Sequence, residues 1–434
     1  MSYLDLPSFQ SEVIPKGCKL LPGVQQIYEL ELALGELRSL EQSELITRSA
    51  YFHLVNGKET HHYNLCAGLP LLAGEHPSVR LRAFFETYQF KTGYATHGLF
   101  PYRGKFHPQL IKALMNIMKL RGEDVVLDPM TGSGTTNIEA STIGLKSIGV
   151  DANPFCLFMT QTKADALKLG MHDLEYVKDL NEVFEYYSSP KKLQLTLDQN
   201  VFRRSPKPGF ARSPILENLF LLCYLDAMAY AKRRKNKTPK DVFPVVFQRY
   251  LNVVKKFIVA REKLGLRLGE VIVAKGDARD LRKLESKKLK SINEEEIDGI
   301  ITSPPYYFAI DYLEEDRSQL EYLGYDIDEL RERMIGLRGA GLKQKIDYYF
   351  EDMNAVFGEM SRVLRNKKYC IIIIGYNTLQ IQRTLEDLGV KFKENLIQIA
   401  KTRNLNLERH IIRPIEGARN IMQTEDILIF QKKG

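Results

Sequence analysis

Short apolar runs, separated by polar loops, recur along the chain and predict a series of buried strands. The runs are residues 124–127, 146–150, 270–274, 298–302, 369–374, 392–399 and 426–431. Apolar positions at helical spacing predict helices at 25–40, from Pro108 onward, and at 137–142, 318–323, 348–364 and 378–388. Strands and helices that alternate in this way predict an α/β protein, with one mainly parallel sheet covered by helices on both faces.

Four segments with candidate chemistry follow directly after predicted strands. They begin after Leu127, Val150, Lys275 and Thr302. Right-handed crossovers bring the carboxyl ends of parallel strands to one edge of the sheet, where ligands bind in such folds. We therefore expect these segments to meet in one site.

Composition narrows the class of protein. The chain has 434 residues and a formal net charge of +8, which permits a polyanionic partner without requiring one. Its five cysteines are scattered without CxxC spacing, and His61-His62 has no partner at ligand spacing, so no metal site is predicted. The chain has no apolar run of membrane-spanning length, and its start lacks the pattern of a signal peptide. We expect a cytoplasmic protein without a membrane partner.

The segment DPMTGSGTT, residues 128–136, leaves a predicted strand and enters a helix. Gly132 and Gly134 allow a ligand to approach the backbone, and the helix start offers free amides to a carboxylate. No Gly-Lys-Ser/Thr follows, which argues against a nucleoside triphosphate. Asp151, at the end of the next strand, is a candidate for binding ribose hydroxyls. The alternative is an ordinary glycine-containing turn.

Two further strand ends carry candidate residues. Asp277 ends the strand at 270–274 and is a candidate acceptor for an adenine amino group; the alternative is a cap or turn residue. Ser303-Pro304-Pro305-Tyr306 follows the strand at 298–302. Proline fixes φ, lacks an N–H and restricts the preceding residue, so two in a row make a stiff corner. The alternative is a rigid turn with exposed tyrosines.

Taken together, the glycine loop and the Ser-Pro-Pro-Tyr corner resemble the S-adenosylmethionine-dependent amino-methyltransferases of DNA, which methylate cytosine N4 or adenine N6. The resemblance covers roughly residues 95–155 and 270–434. It implies a Rossmann-like class I methyltransferase fold with a seven-stranded, mostly parallel sheet and S-adenosylmethionine as cofactor. THGLFPYRGKFHPQ, residues 96–109, resembles the segment that closes over the cofactor in cytosine-N4 members.

The resemblance also implies roles for individual residues. The carbonyl of Pro304 and the side chain of Ser303 would accept the amine hydrogens, on a corner stiffened by Pro305, and Tyr306 would stack on the flipped base. The cofactor would contact Lys105, Phe106, Asp128, Pro129, Thr131, Gly132, Ser133, Gly134, Thr135, Asp151, Ala152, Asp277 and Ala278.

Several substrates remain open. Cytosine-N4 members of the resembled family mostly carry serine at the position of Ser303, so the resemblance favours cytosine N4. Double-stranded DNA is the leading substrate, which would fit a modification enzyme with a cognate restriction endonuclease as partner. The alternatives are cytidine N4 in RNA, for instance ribosomal RNA, and adenine N6 in DNA. A non-catalytic nucleic-acid-binding protein is a further alternative, against which the intact Ser303–Tyr306 corner argues.

The domain prediction follows from where the resemblance stops. We predict an N-terminal extension at 1–95, a catalytic domain at 96–155 and 270–434, and a largely helical basic insertion at 156–269. The extension and the insertion are the candidates for substrate recognition.

Basic stretches supply candidate phosphate contacts, with solvated surface as the alternative. They are residues 203–212, 231–240 and 401–420, the last with Arg403, Arg409, Arg413 and Arg419. The glycine-rich segment 332–345 is a hypothetical lid.

Overall fold

The computed structural model describes most of the chain. The described residues are 12–67, 93–102, 104–175, 179–189, 196–198, 201–203, 213–234, 236–305, 311–375, 389–415 and 424–434. Tyr306, Arg419, the predicted helix at 378–388 and most of the basic stretch at 203–212 lie outside them.

The centre of the fold is an eight-stranded sheet. In spatial order its strands are β12 (Leu405–Pro414), β13 (Thr424–Lys432), β11 (Leu364–Gly375), β10 (Ile297–Thr302), β4 (Val125–Asp128), β5 (Lys146–Asp151), β8 (Val271–Asp277) and β9 (Asp280–Glu285). The five neighbouring strands from β11 to β8 run parallel, β13 is antiparallel to both of its neighbours, and β9 is antiparallel to β8. This mostly parallel topology confirms the Rossmann-like class I methyltransferase fold. The predicted number of seven strands is too low, because β9 adds an antiparallel edge.

Smaller strands lie outside this sheet. In the described residues they are β1 (Cys18–Leu20), β2 (Phe52–Val55) and β3 (Lys58–Glu59) in one sheet, and β6 (Thr196–Asp198) with β7 (Val201–Arg203) in a hairpin.

Helices cover both faces of the central sheet. In chain order those of the described residues are α1 (Ile27–Ser39), α2 (Gln42–Arg48), α3 (His61–Ala67), α4 (Pro108–Ile117), α5 (Thr135–Thr142), α6 (Pro154–Ala166), α7 (Met171–Leu174), α8 (Leu180–Ser188), α9 (Pro214–Lys232), α10 (Pro239–Leu264), α11 (Tyr312–Glu315), α12 (Arg317–Tyr322), α13 (Ile327–Arg331), α14 (Leu342–Val363) and α15 (Phe392–Thr402).

The strand predicted at 392–399 is wrong, because this segment lies in α15. Phe392, Leu396 and Ala400 are its buried residues, and their spacing of four is helical rather than alternating. The edge strand is formed instead by β12, which carries several charged side chains. Such charges are common on exposed sheet edges and hide the strand signal.

The N-terminal segment packs onto the sheet. Leu32 of α1 and Phe52 of β2 are fully buried in one cluster with Leu114 of α4 and with Ile371 and Ile427 of the sheet. Residues 12–67 therefore cover the face that α4 also covers.

The insertion between β5 and β8 is largely helical in its described part. Its helices α9 and α10 share an apolar core with Leu313, Leu320 and Leu330 of α11–α13. The Gln319 amide also donates to the Leu225 carbonyl at 3.2 Å. The chain that follows the Ser-Pro-Pro corner is thus packed against the insertion.

Candidate active site

A cleft opens at the carboxyl edge of the sheet, where β4, β5, β8 and β10 end. It encloses about 820 Å³, part of which is open to solvent. The predicted site residues on its walls are Lys105, Phe106, Pro129, Thr131, Gly132, Ser133, Thr135, Asp151, Ala152, Asp277, Ala278, Ser303 and Pro305. Asp128, Gly134 and Pro304 are not among the lining residues, and Tyr306 lies outside the described residues. The edge therefore gathers residues from the four segments that follow these strands, together with Lys105 and Phe106 from the segment before β4.

The loop from β4 into α5 turns on glycines in the left-handed region. Gly132 has φ of +51° and Gly134, the N-cap of α5, has φ of +79°. A Cβ added to Gly134 would lie 2.7 Å from the side chain of Thr160 on α6, so a larger residue would push the loop away from that helix. Below the loop, the buried Lys163 ammonium donates to the Ser133 carbonyl at 3.4 Å. The loop is thus anchored to α6, and its residues Gly132 and Ser133 line the cleft.

Asp151 shapes this loop as well as lining the cleft. Its Oδ2 accepts from the Gly132 N–H at 2.8 Å, and its Oδ1 accepts from the Asn153 N–H at 2.8 Å. Burial raises the pKa of this carboxyl to about 6. Each carboxylate oxygen retains further acceptor capacity, which suits a pair of hydroxyl donors in the cleft.

Asp128 links the glycine loop to the Ser-Pro-Pro corner. Its Oδ1 accepts from the Thr302 hydroxyl at 2.7 Å and from the Met130 N–H at 3.2 Å. The side chain is fully buried, and burial raises its pKa to about 7. Asp128 therefore holds the glycine loop and the end of β10 together without lining the cleft, whereas Ser303 and Pro305 line it.

The end of β8 is organised by Arg279, which sequence inspection did not single out. Its guanidinium holds the Asp277 carboxylate in a fork, with Nε 2.9 Å from Oδ1 and Nη2 2.5 Å from Oδ2. The same side chain donates to Asp352 at 2.7 Å and to the Arg333 carbonyl at 2.9 Å. Arg279 thereby fastens the cleft wall at 333–335 to the strand end that carries Asp277.

The segment before β4 reaches the cleft through Lys105. The Lys105 ammonium donates to the His97 carbonyl at 3.0 Å, and burial lowers its pKa to about 8. The His97 ring lies 2.6 Å from the buried Glu139 carboxylate of α5, which also accepts from the Tyr94 hydroxyl at 2.6 Å.

Glu139 is the centre of a buried charged network. Lys112 of α4 lies 3.2 Å from its Oε2. Burial by itself would raise the pKa of Glu139, but Lys112 and the hydrogen bonds from His97 and Tyr94 lower it to about 2. The network ties the segment at 94–105 to the helix that the glycine loop opens.

Several cleft residues were not predicted as site residues. They are Tyr102, Gly104, Met130, Asn153, Cys156, Tyr312, Arg333, Met334 and Ile335. Tyr102 lies inside the segment 96–109, and residues 333–335 lie inside the hypothetical lid at 332–345. The sequence therefore indicated both regions but not these individual residues. Whether the lid moves stays a prediction.

The basic stretch at 401–420 is largely exposed in its described part, but most of its arginines have protein partners. It continues α15 into β12, and three of its four arginines have partners there. These are Asn354 for Arg403 (2.9 Å), Glu31 for Arg409 (2.6 Å) and Glu425 for Arg413 (2.5 Å). Arg409 and Arg413 are thus paired locally with glutamates.

The described residues form neither a metal-binding cluster nor a membrane-spanning helix. No group of three or more His, Cys, Asp or Glu side chains is placed there to hold a metal ion. None of the helices in that part of the chain combines the length and apolarity needed to cross a bilayer.

Comparison with known proteins gives a family match and several relatives. The family model UPF0020, described as RMKL-like, methyltransferase domain, matches residues 99–183. The type II methyltransferase M.BsoBI of Geobacillus stearothermophilus is 24% identical over 315 residues, which cover 61% of this chain and 60% of that protein. The type II methyltransferase M.MjaII of Methanocaldococcus jannaschii is 25% identical over 393 residues, covering 64% of this chain and 71% of that protein.

A third relative matches over a shorter part of the chain. The tRNA (guanine(10)-N2)-dimethyltransferase of Methanocaldococcus jannaschii is 34% identical over 84 residues, which cover 18% of this chain and 24% of that protein. The relatives confirm the resemblance to the S-adenosylmethionine-dependent DNA methyltransferases, and with it S-adenosylmethionine as the cofactor.

Proposed function

We propose that this chain, with its S-adenosylmethionine-dependent methyltransferase domain, transfers a methyl group to the N4 amine of a flipped cytosine in double-stranded DNA. The main support for the proposal is that the predicted cofactor residues and the predicted catalytic residues line one cleft. Ser303 and Pro305 line the same space as the glycine loop and Asp151. A methyl donor held by the loop and Asp151 would therefore lie next to the stiff corner.

The cleft fits the cofactor in its donor set. Gly132 leaves the backbone open, Ser133 and Thr135 add hydroxyls at the start of α5, and Asp151 offers carboxylate oxygens. When bound, S-adenosylmethionine supplies a methyl group on a positively charged sulfur.

The corner would prepare the amine for attack. An exocyclic amine conjugated into a base is a weak nucleophile, so acceptors that draw its hydrogens aside leave the nitrogen lone pair available. We assign this task to the Ser303 side chain and the Pro304 carbonyl, held in place by Pro305. The amine forms a bond to the methyl carbon as the carbon–sulfur bond breaks, and the proton it then loses passes to water.

Cytosine N4 is favoured over adenine N6 because cytosine-N4 members of the resembled family mostly carry serine at the position of Ser303. The two type II methyltransferase relatives support DNA as the polymer. A cognate restriction endonuclease remains part of the proposal as a partner.

RNA is the second candidate substrate. The match to a tRNA methyltransferase over 84 residues supports it. An RNA cytidine-N4 enzyme would need the same corner, and the insertion resembles no DNA- or RNA-binding module that decides the matter.

We assign recognition of the polymer mainly to the insertion at 156–269. Its helices α9 and α10 share a core with the helices that follow the catalytic corner. The Tyr322 hydroxyl, next to that core, donates to the Tyr187 carbonyl of the insertion at 2.7 Å. Nucleic acid bound to the insertion would thus be held at a fixed position relative to the cleft.

The experiment supplies S-adenosylmethionine labelled in the methyl group to separate pools of double-stranded DNA and RNA. Enzymatic digestion and mass spectrometry of the nucleosides identify the methylated atom. The expected product is labelled N4-methylcytosine in DNA, absent from the Ser303→Ala variant. Label in RNA or in N6-methyladenine would refute the assigned substrate, and no label in either pool would refute the activity.

A further inference from the structure

Asp316, at the junction of α11 and α12, is a buried carboxyl group without a paired cation. Its side chain is 4% exposed and forms no capping hydrogen bond with α12. Within the described residues, no lysine, arginine or histidine pairs with it, whereas Glu139 pairs with Lys112 and Asp352 pairs with Arg279. Burial raises the pKa of Asp316 well above its ordinary value, which favours the neutral acid. Because a buried polar group without full pairing costs stability, Asp316 is a candidate for a role in the site.

The hydrogen-bond partner of Asp316 is Asn153, which lines the cleft. The Asn153 Nδ2 donates to Asp316 Oδ2 at 3.1 Å. The Asn153 Oδ1 accepts from the Phe155 N–H at 2.9 Å and thereby caps α6. A backbone N–H can only donate, so the contact with Phe155 identifies the carboxamide oxygen and leaves the nitrogen facing Asp316. Both ends of the carboxamide are therefore held, and Asp316 holds one of them.

The main chain of Asn153 continues the contact to Asp151. Its N–H donates to Asp151 Oδ1 at 2.8 Å, and the Gly132 N–H donates to Asp151 Oδ2 at 2.8 Å. Because each oxygen accepts from a different segment, a shift of Asn153 would change the orientation of the carboxylate. A hydrogen-bonded chain of three residues thus runs from Asp316 to the carboxylate that we assign to the ribose.

The position of Asp316 does not depend on its carboxyl group. Its N–H donates to the Tyr312 carbonyl at 3.0 Å, and its carbonyl accepts from the Gln319 and Leu320 N–H groups at 3.0 and 2.9 Å. Leu313 and Leu320 on either side are fully buried in the core that these helices share with α9 and α10. The helices after the Ser-Pro-Pro corner therefore provide a fixed point, and removal of the carboxyl group leaves their main supports in place.

We propose that Asp316 is a positioning residue for the cofactor, which holds the Asp151 carboxylate through Asn153 in the orientation that accepts the ribose hydroxyls; this rests on the proposed function, which places the ribose at Asp151. Asp316 is not among the residues that line the cleft, so it acts on the cofactor only through its neighbours. A binding side chain is held precisely when the residues behind it are themselves fixed. The same chain of hydrogen bonds links the cofactor site to the segment that follows the catalytic corner.

The test measures the Kd of S-adenosylmethionine by calorimetry in the wild type and in variants of this chain. Asp316→Leu removes the acceptor and keeps the branching of the side chain, whereas Asp316→Asn keeps a carbonyl oxygen that can accept from Asn153. Asn153→Ser breaks the link but keeps an oxygen that can cap α6, and it is measured alone and together with Asp316→Leu.

Asp326→Leu is the matched control. Asp326 is an exposed N-cap residue of α13 in the same helical segment, and it does not line the cleft. Thermal unfolding of the cofactor-free proteins shows which variants are folded. Asp316→Ala takes the place of Asp316→Leu if the leucine variant does not fold.

Asp316→Leu should weaken cofactor binding about 2- to 12-fold, because the Asn153 carboxamide loses a hydrogen-bond partner. Asp316→Asn should bind within about twofold of the wild type, since the acceptor is retained. Asp326→Leu should keep the wild-type Kd. Asn153→Ser should weaken binding, and adding Asp316→Leu to it should cause no further loss, because Asp316 then has no partner through which to act.

Four results bear against these expectations. An unchanged Kd in Asp316→Leu, or a loss that Asp316→Asn does not restore, would overturn the role of the Asp316 acceptor. Losses that add in the double variant would show that Asp316 acts independently of Asn153. An equal loss in Asp326→Leu would assign the effect to loosening of the helices. Wild-type protein that does not bind S-adenosylmethionine would instead reject the proposed function itself.

Discussion

The charge state of Asp151 gives the sharpest test of the cofactor assignment. In the proposed complex its carboxylate accepts the ribose hydroxyls while continuing to accept the Gly132 and Asn153 N–H groups at 2.8 Å each. Protonation turns one acceptor oxygen into a donor and conflicts with these contacts. Burial raises the pKa of the group to about 6, so protonation falls within an accessible pH range. We therefore predict that S-adenosylmethionine binding weakens as the pH falls through 6.

The magnitude follows from the ionised fraction. With a pKa of about 6, Asp151 is about 90% ionised at pH 7 and about 10% ionised at pH 5. If only the ionised form binds, the association constant falls about tenfold between these pH values. Burial raises the pKa of Asp151 above its ordinary value of about 3.9, so the effect of pH on protein stability has the opposite sign to its effect on cofactor binding. The group's contribution to the stability of the cofactor-free protein is present at low pH and is lost as the pH rises through 6.

Isothermal titration with S-adenosylmethionine between pH 5 and 7 measures the effect, below the range in which the cofactor amine titrates. Asp128, with a pKa of about 7, titrates in the same window. The Asp151→Asn variant keeps Asp128 and serves as the control. It should bind about 10- to 150-fold more weakly at pH 7, because a hydrogen bond to a charged acceptor is lost, and with less pH dependence. An equal decline in both proteins, or a flat wild-type profile, would refute the reasoning.

Three further predictions concern the corner, the cleft wall and the buried network. Pro305→Ala should lower turnover several-fold with little change in cofactor Kd, because alanine no longer fixes φ at the corner that positions the Pro304 carbonyl; equal losses in both would contradict the assigned role. Arg279→Gln should weaken cofactor binding and speed proteolysis within 332–345, since it removes the bidentate ion pair with Asp277 and the hydrogen bond to the Arg333 carbonyl. Unchanged proteolysis would show that Arg279 does not hold this part of the cleft wall in place. Glu139→Gln should lower the free energy of unfolding by about 3–5 kcal/mol in denaturant titrations, because Lys112 keeps a buried charge without its carboxylate; a loss below about 1 kcal/mol would disprove that account.

Sequence patterns predict those parts of the fold that depend on local burial. Central strands such as β10 and β11 contain short apolar runs, at residues 299–301 and 369–374, because both faces of a parallel sheet are covered there. The edge strands β9 and β12 were missed, because exposed edges carry charged residues and lose the apolar run. Residues 392–399 were predicted as a strand, although the spacing of four between Phe392, Leu396 and Ala400 is helical.

The residues of the candidate site also differ in how far the sequence predicts them. The glycine loop, Asp151 and the Ser-Pro-Pro corner have local motifs, and the sheet order brings them together. Arg279 and the wall at 333–335 have no motif of their own. Their positions depend on contacts that cross long stretches of chain, such as the bond from Arg279 to the Arg333 carbonyl. Only the folded arrangement identifies them.

The central claim is that the cofactor's methyl group and the proline corner share one cleft. A crystal structure with sinefungin, in which an amine-bearing carbon replaces the methyl-bearing sulfur, measures this directly. We predict that the ribose lies against Asp151 and that the amine points into the space beside Ser303 and Pro305, close enough for a target nitrogen to lie within about 3–3.5 Å of the methyl position. Sinefungin bound outside this cleft, or bound with its amine directed away from the corner, would contradict the account.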